Sequence, residues 1–330
     1  MKMNLVFRIW AKIRGLYSLF EAYFFDLKRF AVFSGMVRRR TSKVSMAAWL
    51  TMTYHRIEKG LSLRDPRLNF GEDVVRLVTE ALSEYIGKYG FDQTALACWK
   101  CLSDYHEFHR HQSALNLELY ASFSEIQIPS SVLGIADSMN ACKHIKKSDI
   151  LNAAQVDFKE FAFSRHSVRD FTAEPVGIDL IREAAQIAQR TPSVCNRQGW
   201  RLHAYEGEEA LKKAIACQGG HRGFTESIQR VVIVTAEVEH FFSYVERNQG
   251  FIDGGLYAMS LVYALHSLGL ATCCLNLSLS PQQERKLRVE CGIGANEMPI
   301  MMIAIGHYPE GLRVASSERK EIDETLVVHN

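Results

Sequence analysis

Residues 249–270, Q-G-F-I-D-G-G-L-Y-A-M-S-L-V-Y-A-L-H-S-L-G-L, read as a helix that is apolar nearly all round. Such a helix belongs at the centre of a fold, with apolar partners on most sides. The flanking segments supply them. Residues 231–235 are a run of β-branched residues, 271–277 and 299–308 read as strands, and 201–205 alternates. Helical runs separate these strands. Ile178, Ile181, Ala184, Ala185 and Ala188 make one apolar face, with Pro175 as the predicted helix start. Residues 210–216 are helical, Q-G-G-H-R-G-F at 218–224 is a glycine-rich turn, and Pro281 opens a helix to about Val289.

The first part of the chain has a different texture. Leu5, Ile9, Ile13, Leu16, Phe20, Phe24, Leu27 and Ala31 recur at steps of three and four, one face of a helix over 4–33. Further helices are expected over 46–61, over 74–89 with Gly90 as the stop, and over 92–123. Residues 124–150, with Pro129 and Gly134, read as a loop and linker zone. The division is therefore a helical N-terminal module, 1–150, and a mixed strand-and-helix domain, 155–330.

The 330 residues carry a net charge of +2, which says little about partners, and no nucleic-acid partner is expected. The charge is unevenly spread. Residues 2–43 hold ten Lys or Arg against Glu21 and Asp26. With Trp10, Tyr17 and Tyr23, that composition fits a helix lying on a membrane surface; the plainer reading is a helix packed on its own protein or on a dimer mate. There is no run of 18 apolar residues, and no secretory signal is expected. A cytoplasmic protein with reduced thiols is the expectation, with attachment to the inner membrane face as the variant.

Few motifs outside 155–330 suggest chemistry. Cys98-x-x-Cys101 lies in a helical run without a second pair at zinc spacing, so two half-buried thiols are expected. His106 and His109 share a helix face, but Glu107 points away and no third ligand is placed. They read as solvated histidines, and no metal is expected. Tyr54, His55, Arg56, Glu58 and Lys59 read as a surface charge network at a helix end. There is no G-x-G-x-x-G turn, no P-loop and no G-x-S-x-G elbow.

What remains is the stretch 163–201. Two polar clusters bracket the helix around 178–188: Ser164, Arg165, His166, Ser167 and Arg169, then Thr191, Pro192, Ser193, Cys195, Asn196, Arg197 and Gln198. Two arginines suit a phosphate, because guanidinium forks match phosphate oxygens. Short polar groups on a Pro-broken loop suit the edge of a heterocycle.

S-R-H-S-V-R-D-F, T-P-S-V-C-N-R-Q-G-W-R and D-G-G-L-Y-A-M-S-L-V-Y-A-L-H-S-L-G-L-A-T-C, in this order and spacing, resemble the nitroreductase family of FMN-dependent oxidoreductases. D-L-K-R-F near 26 and Y-H-R-I-E-K-G-L at 54–61 resemble the helical N-terminal extension of a bacterial branch associated with surface-polysaccharide genes. The resemblance implies an α+β fold with a mostly antiparallel sheet wrapped by helices, and an obligate homodimer with FMN at the subunit interface. It implies hydride transfer from NADH or NADPH to the flavin, then two electrons to a quinone, nitroaromatic or other electron-poor acceptor. The alternative is a non-catalytic or specialised flavoprotein at a membrane, in a polysaccharide pathway.

Carried over by position, Arg165, His166 and Ser167 match the run that holds the phosphate and ribityl chain. Arg169 matches the cation at the N1–C2=O edge, where reduction accumulates negative charge. Pro192, Ser193 and Val194 match the loop that reaches the flavin of the partner subunit, with Asn196 near the ring edge. Asn276 and Leu277 match the segment approaching N5. Arg319, with Lys320 beside it, matches a C-terminal cation closing on the phosphate. No residue is identified as a general acid or nucleophile. Q-G-W replaces the family's frequent Q-P-W, which predicts a looser backbone after Gln198. Cys195 is either a small filler or a thiol that modulates the flavin.

Overall fold

A strand rich in β-branched residues on both faces needs cover on both sides, and β2 (Arg230–Glu237) is buried along its whole length. The computed structural model, which describes residues 5–37, 40–63, 66–130, 156–311, 314 and 321–329, shows how that cover is built. β1 (Trp200–Tyr205), β2, β3 (Leu270–Asn276) and β4 (Glu297–His307) form a sheet in the order β1-β2-β4-β3. Every strand pairing in it is antiparallel, as expected.

Side chains alternate across a strand, so β2 feeds two cores. Val232 and Val234 join Ile303 and Ile305 beneath the long apolar helix 249–267 and the helix 178–188. Val231 and Ile233 join Cys273, Leu275, Met302 and Ala304 beneath the helices 208–215 and 281–291. Each fully buried Val or Ile contributes about 1.5–3 kcal/mol. The predicted central helix is thus one of two helical layers around the sheet.

In chain order the described α-helices are α1 (Leu5–Phe33), α2 (Lys43–Leu61), α3 (Glu72–Tyr89), α4 (Gln93–His111), α5 (Leu117–Ser124), α6 (Phe158–Ser164), α7 (Ile178–Ala188), α8 (Glu208–Ile215), α9 (Gln249–Ser267) and α10 (Pro281–Cys291). Pro175 does not start α7, because the chain stays extended to Gly177, which caps the helix. The expected linker at 124–150 falls mostly outside the described residues.

α2 to α5 have their own core of Met46, Trp49, Leu50, Val78, Leu82, Tyr85 and Leu102. Caps place these helices. Ser42 and Ser45 form a capping box on α2. Asp92 caps α4, receives the Tyr85 hydroxyl at 2.8 Å and pairs with Lys43 at 2.9 Å, which joins α2, α3 and α4. Cys98 and Cys101 are fully buried rather than half-buried, and burial pushes the Cys98 thiol far up.

The histidines of α4 correct the sequence reading. His106 and His109 are buried, not solvated. His106 packs on Tyr105, Tyr120 and Phe123, and its pKa falls to about 4 through burial. His109 donates Nδ1–H to the Tyr105 carbonyl at 2.8 Å and accepts the Asn69 N–H at 2.9 Å. Tyr54 is likewise buried, leaving His55 and Glu58 as the half-buried pair at 2.8 Å.

The helical layer is fastened to the sheet layers by buried polar contacts. Arg29 of α1 pairs with Glu284 of α10 at 2.9 Å and donates to the Glu297 carbonyl at 3.2 Å. Phe30 and Phe33 pack on Ala236, Val238 and Met298. Ser42 donates to Glu239. Among the described residues, no helix is long and apolar enough to cross a membrane.

Glu297 makes this junction sensitive to acid. Its buried carboxylate accepts from His203 Nε2 at 2.6 Å, from Thr235 Oγ1 at 2.5 Å and from the Gly294 N–H at 3.0 Å. Burial alone would raise its pKa, but these bonds and the His203 charge outweigh it and bring the pKa to about 2. A carboxyl depressed on folding adds stability above its unfolded pKa and loses it as pH falls toward the folded one. The window is therefore from about 4.5 down to about 2, worth about 3 kcal/mol. In urea titrations across that range, Glu297→Gln should lie below the parent at neutral pH and converge with it in acid. A constant offset would remove Glu297 from the acid limb.

Candidate functional site

The first cluster lies along the open edge of the sheet. α6 ends at Arg165, whose backbone is already extended. The chain then runs beside β3: Ser167 bridges Thr272 in parallel, and the Val168 N–H donates to the Thr272 carbonyl at 2.9 Å. Val168 is fully buried in the sheet core. Alternation turns its neighbours Ser167 and Arg169 the other way, and Arg169 is exposed. After Val168 the chain turns back toward the start of β3: the Thr172 N–H donates to the His307 carbonyl at 3.1 Å, and Phe171 packs on Gly306, which is level with Ala271. Asn276 is exposed, its carbonyl accepting Gln218 Nε2 at 3.0 Å, and Leu277 is half-buried against the core. Arg165, His166, Ser167 and Arg169 thus lie beside Thr272 and Cys273, with Asn276 and Leu277 at the far end of the same edge strand.

The charge balance there is specific. Neither Arg165 nor Arg169 has an ion pair among the described residues; Arg169 only approaches the Ser167 carbonyl at 3.5 Å. Burial raises the Cys273 thiol, and the charges of Arg169 and Arg165 partly offset it. Two cations beside hydroxyl and imidazole groups, with no carboxylate to neutralise them, suit a phosphate dianion.

Behind Arg165 is a relay that the sequence did not suggest. His266 of α9 contacts Ser164 Oγ at 2.8 Å through Nε2 and the Tyr308 hydroxyl at 3.0 Å through Nδ1. Ser164 donates to the Phe161 carbonyl at 2.9 Å. Its oxygen therefore accepts Nε2–H, and in the neutral ring Nδ1 accepts from the Tyr308 hydroxyl. Burial, helped by the Arg165 and His166 charges, lowers the His266 pKa against an opposing bond to the Phe161 carbonyl. The relay ties α6, α9 and the end of β4 together at the residue before Arg165.

The second cluster joins α7 to β1. The Val194 N–H lies 3.3 Å from buried Asp253 of α9, which also receives Gln249 Nε2 at 2.8 Å. Ser193 Oγ accepts the Gln198 N–H at 2.9 Å. Pro192 and Asn196 are exposed, while Ser193, Val194 and Cys195 are half-buried. Cys195, Asn196 and Gln198 have φ of 49°, 52° and 51°, left-handed conformations that cost of order 1 kcal/mol each outside glycine.

Arg197 holds that shape. It is buried, donates Nε–H to the Val194 carbonyl at 3.2 Å and NH1 to the His240 carbonyl at 2.6 Å, and pairs with Glu246 at 2.5 Å. Gly199 is also tight, contrary to the predicted looseness. Its carbonyl accepts the Glu237 N–H at 2.8 Å, and a Cβ there would come within 3.0 Å of the His240 side chain.

The two clusters do not meet within one chain. One is tied to α9 at Asp253, the other at His266; thirteen residues of helix separate these by about 20 Å. Arg319 and Lys320 lie outside the described residues. Beside Asp253 α9 exposes Ile252 (54%), and between the two ties it exposes Leu256 (47%) and Met259 (39%).

Residues 162–307 match the profile of the Nitroreductase family. A chloronitrobenzene nitroreductase of Comamonas testosteroni is 24% identical over 216 residues, spanning 50% of this chain and 94% of that protein. An NADH dehydrogenase of Thermus thermophilus is 29% identical over 91 residues, 28% of this chain and 44% of that protein. Among solved structures, an FMN-dependent nitroreductase of Clostridium difficile aligns with a TM-score of 0.43 at 17% identity, covering 52% of this chain and 98% of the other.

Proposed function

Since the chain belongs to the nitroreductase family through residues 162–307, we propose that it is an FMN-dependent oxidoreductase. It draws reducing equivalents from NADH or NADPH and delivers two electrons to a quinone, nitroaromatic or other electron-poor acceptor. The observation that carries this reading is the pair of unneutralised cations, Arg165 and Arg169, laid along the β3 edge beside Ser167.

FMN, when bound, supplies the electron-carrying chemistry. The chain binds and orients it. Arg165, His166 and Ser167 take the phosphate and ribityl chain, and Arg319 closes on them. Arg169 offers positive charge at the ring edge that becomes negative on reduction. Asn276 and Leu277 border the ring at the end of β3. Pro192, Ser193, Val194 and Asn196 serve the flavin of a second copy. The separation of about 20 Å along α9 supports that assignment, as does the exposed apolar face between the two ties. The assembly in this reading is a homodimer with two sites.

The test is the visible absorbance spectrum of the purified protein, followed by anaerobic mixing with NADH and with NADPH. A flavin band that bleaches with one donor and returns on adding a quinone or nitroarene is expected. A colourless protein that takes up no FMN overturns the reading.

A further inference from the structure

α1 is a helix with one end anchored and the other bare. Its C-terminal half is fixed by buried Arg29, through Glu284 and the Glu297 carbonyl, and by Phe30 and Phe33. From residue 10 to residue 21 every described side chain is exposed. That stretch extends about 18 Å without support from its own chain. An isolated helix of this length is marginal in water.

The bare part is not polar. Ile13 (61%), Leu16 (67%), Phe20 (69%), Tyr23 (69%) and Leu27 (61%) are exposed on one stripe, with Tyr17 and Phe24 beside them. Because Arg29 fixes the helix, the direction of the stripe is fixed as well. It leads into a groove of about 430 Å³ lined by Tyr23, Leu27, Met36, Tyr244, Arg247 and Phe251. Phe251 belongs to α9 and adjoins Ile252 and Leu256. The apolar surface is therefore continuous from α1 to the outer face of α9.

We propose that α1 is an arm that packs this stripe on a second copy of the chain, extending the α9 interface across the groove. The inference rests on the reading of α9 as the dimer face. Area supports it. The exposed aromatic side chains of α1 offer on the order of 600 Å², against about 800 Å² per partner in a standard interface. Charge favours a protein partner over an anionic bilayer. Lys12, Arg14 and Lys28 flank the stripe together with Glu21, while Asp26 is paired with Arg29 at 2.7 Å, so both signs border it. A dimer mate with mixed charges can match that border, whereas anionic headgroups would meet the Glu21 carboxylate.

The experiment is sedimentation equilibrium of the full chain and two variants, Phe20→Glu/Phe24→Glu in α1 and Leu256→Glu in α9. All three side chains are largely exposed in the monomer, so the substitutions leave its core intact. The α1 variant should weaken dimerisation at least tenfold. A dimer unchanged by the α1 variant but broken by Leu256→Glu overturns the arm. A dimer broken by the α1 variant and indifferent to Leu256→Glu keeps the arm and removes the α9 reading. Vesicles of phosphatidylglycerol and phosphatidylcholine supply the other control. Flotation of the parent that the α1 variant loses, with dimerisation unchanged, gives α1 to the bilayer and overturns the proposal.

Discussion

Replacing Arg165 by alanine is expected to weaken FMN binding on the order of a hundredfold, read by quenching of flavin fluorescence. A guanidinium–phosphate pair makes two charge-assisted hydrogen bonds, and a bond to a charged group contributes about 1.5–3 kcal/mol. A tenfold change in affinity corresponds to about 1.4 kcal/mol. The half-exposed position and the remaining Ser167 and His166 hold the loss near the lower end. The same variant should bind riboflavin, which lacks the phosphate, as the parent does. Arg165→Lys should fall between, since it keeps the charge and loses the fork. Stability should change little, because Arg165 has no ion pair among the described residues to break. Equal losses of riboflavin and FMN would place Arg165 away from the phosphate.

The contrast between Arg165 and its support explains what could be read from the chain. Arg165, Ser167 and Arg169 were legible because their chemistry is contiguous in sequence and one extended segment delivers it to one strand edge. β2 and α9 were legible for a similar reason: burial on most sides leaves runs of apolar residues that no exposed element would carry. The relay from Tyr308 through His266 to Ser164 has no such signature, since its members are 42 and 102 residues apart. Asp253 is 59 residues from the Val194 it holds. Burial of single polar residues was misread for the same reason. His106 and His109 carry the spacing of a solvated or ligating pair, and the rings that enclose them, Phe70, Tyr120 and Phe123, come from other segments. The tightness at Gly199 depends on His240, which no local pattern around Q-G-W reports.

Replacing Arg197 by methionine should cost about 3–5 kcal/mol of folding stability, measured from the urea midpoint, because it leaves Glu246 partly buried without its cation. Burial by itself raises the Glu246 pKa. The bonds from Arg197 and the Phe242 N–H outweigh it, and the net shift is downward. A depressed carboxyl contributes stability above its unfolded pKa, near 4.5, and loses it as the pH drops through the folded value. The gap between parent and Arg197→Met should therefore be widest at neutral pH and close in acid. Arg197 also bonds the Val194 carbonyl and shapes the loop in which Cys195, Asn196 and Gln198 are left-handed. Adding Glu246→Gln separates these two roles. The double variant should regain part of the stability, since no unpaired charge remains, yet its 192–198 loop should still be cleaved faster by protease and its FMN affinity should stay reduced. Full recovery of both would make Arg197 only the partner of Glu246. Recovery of stability alone would make it also the residue that holds the loop in the form that the proposed dimer presents to FMN.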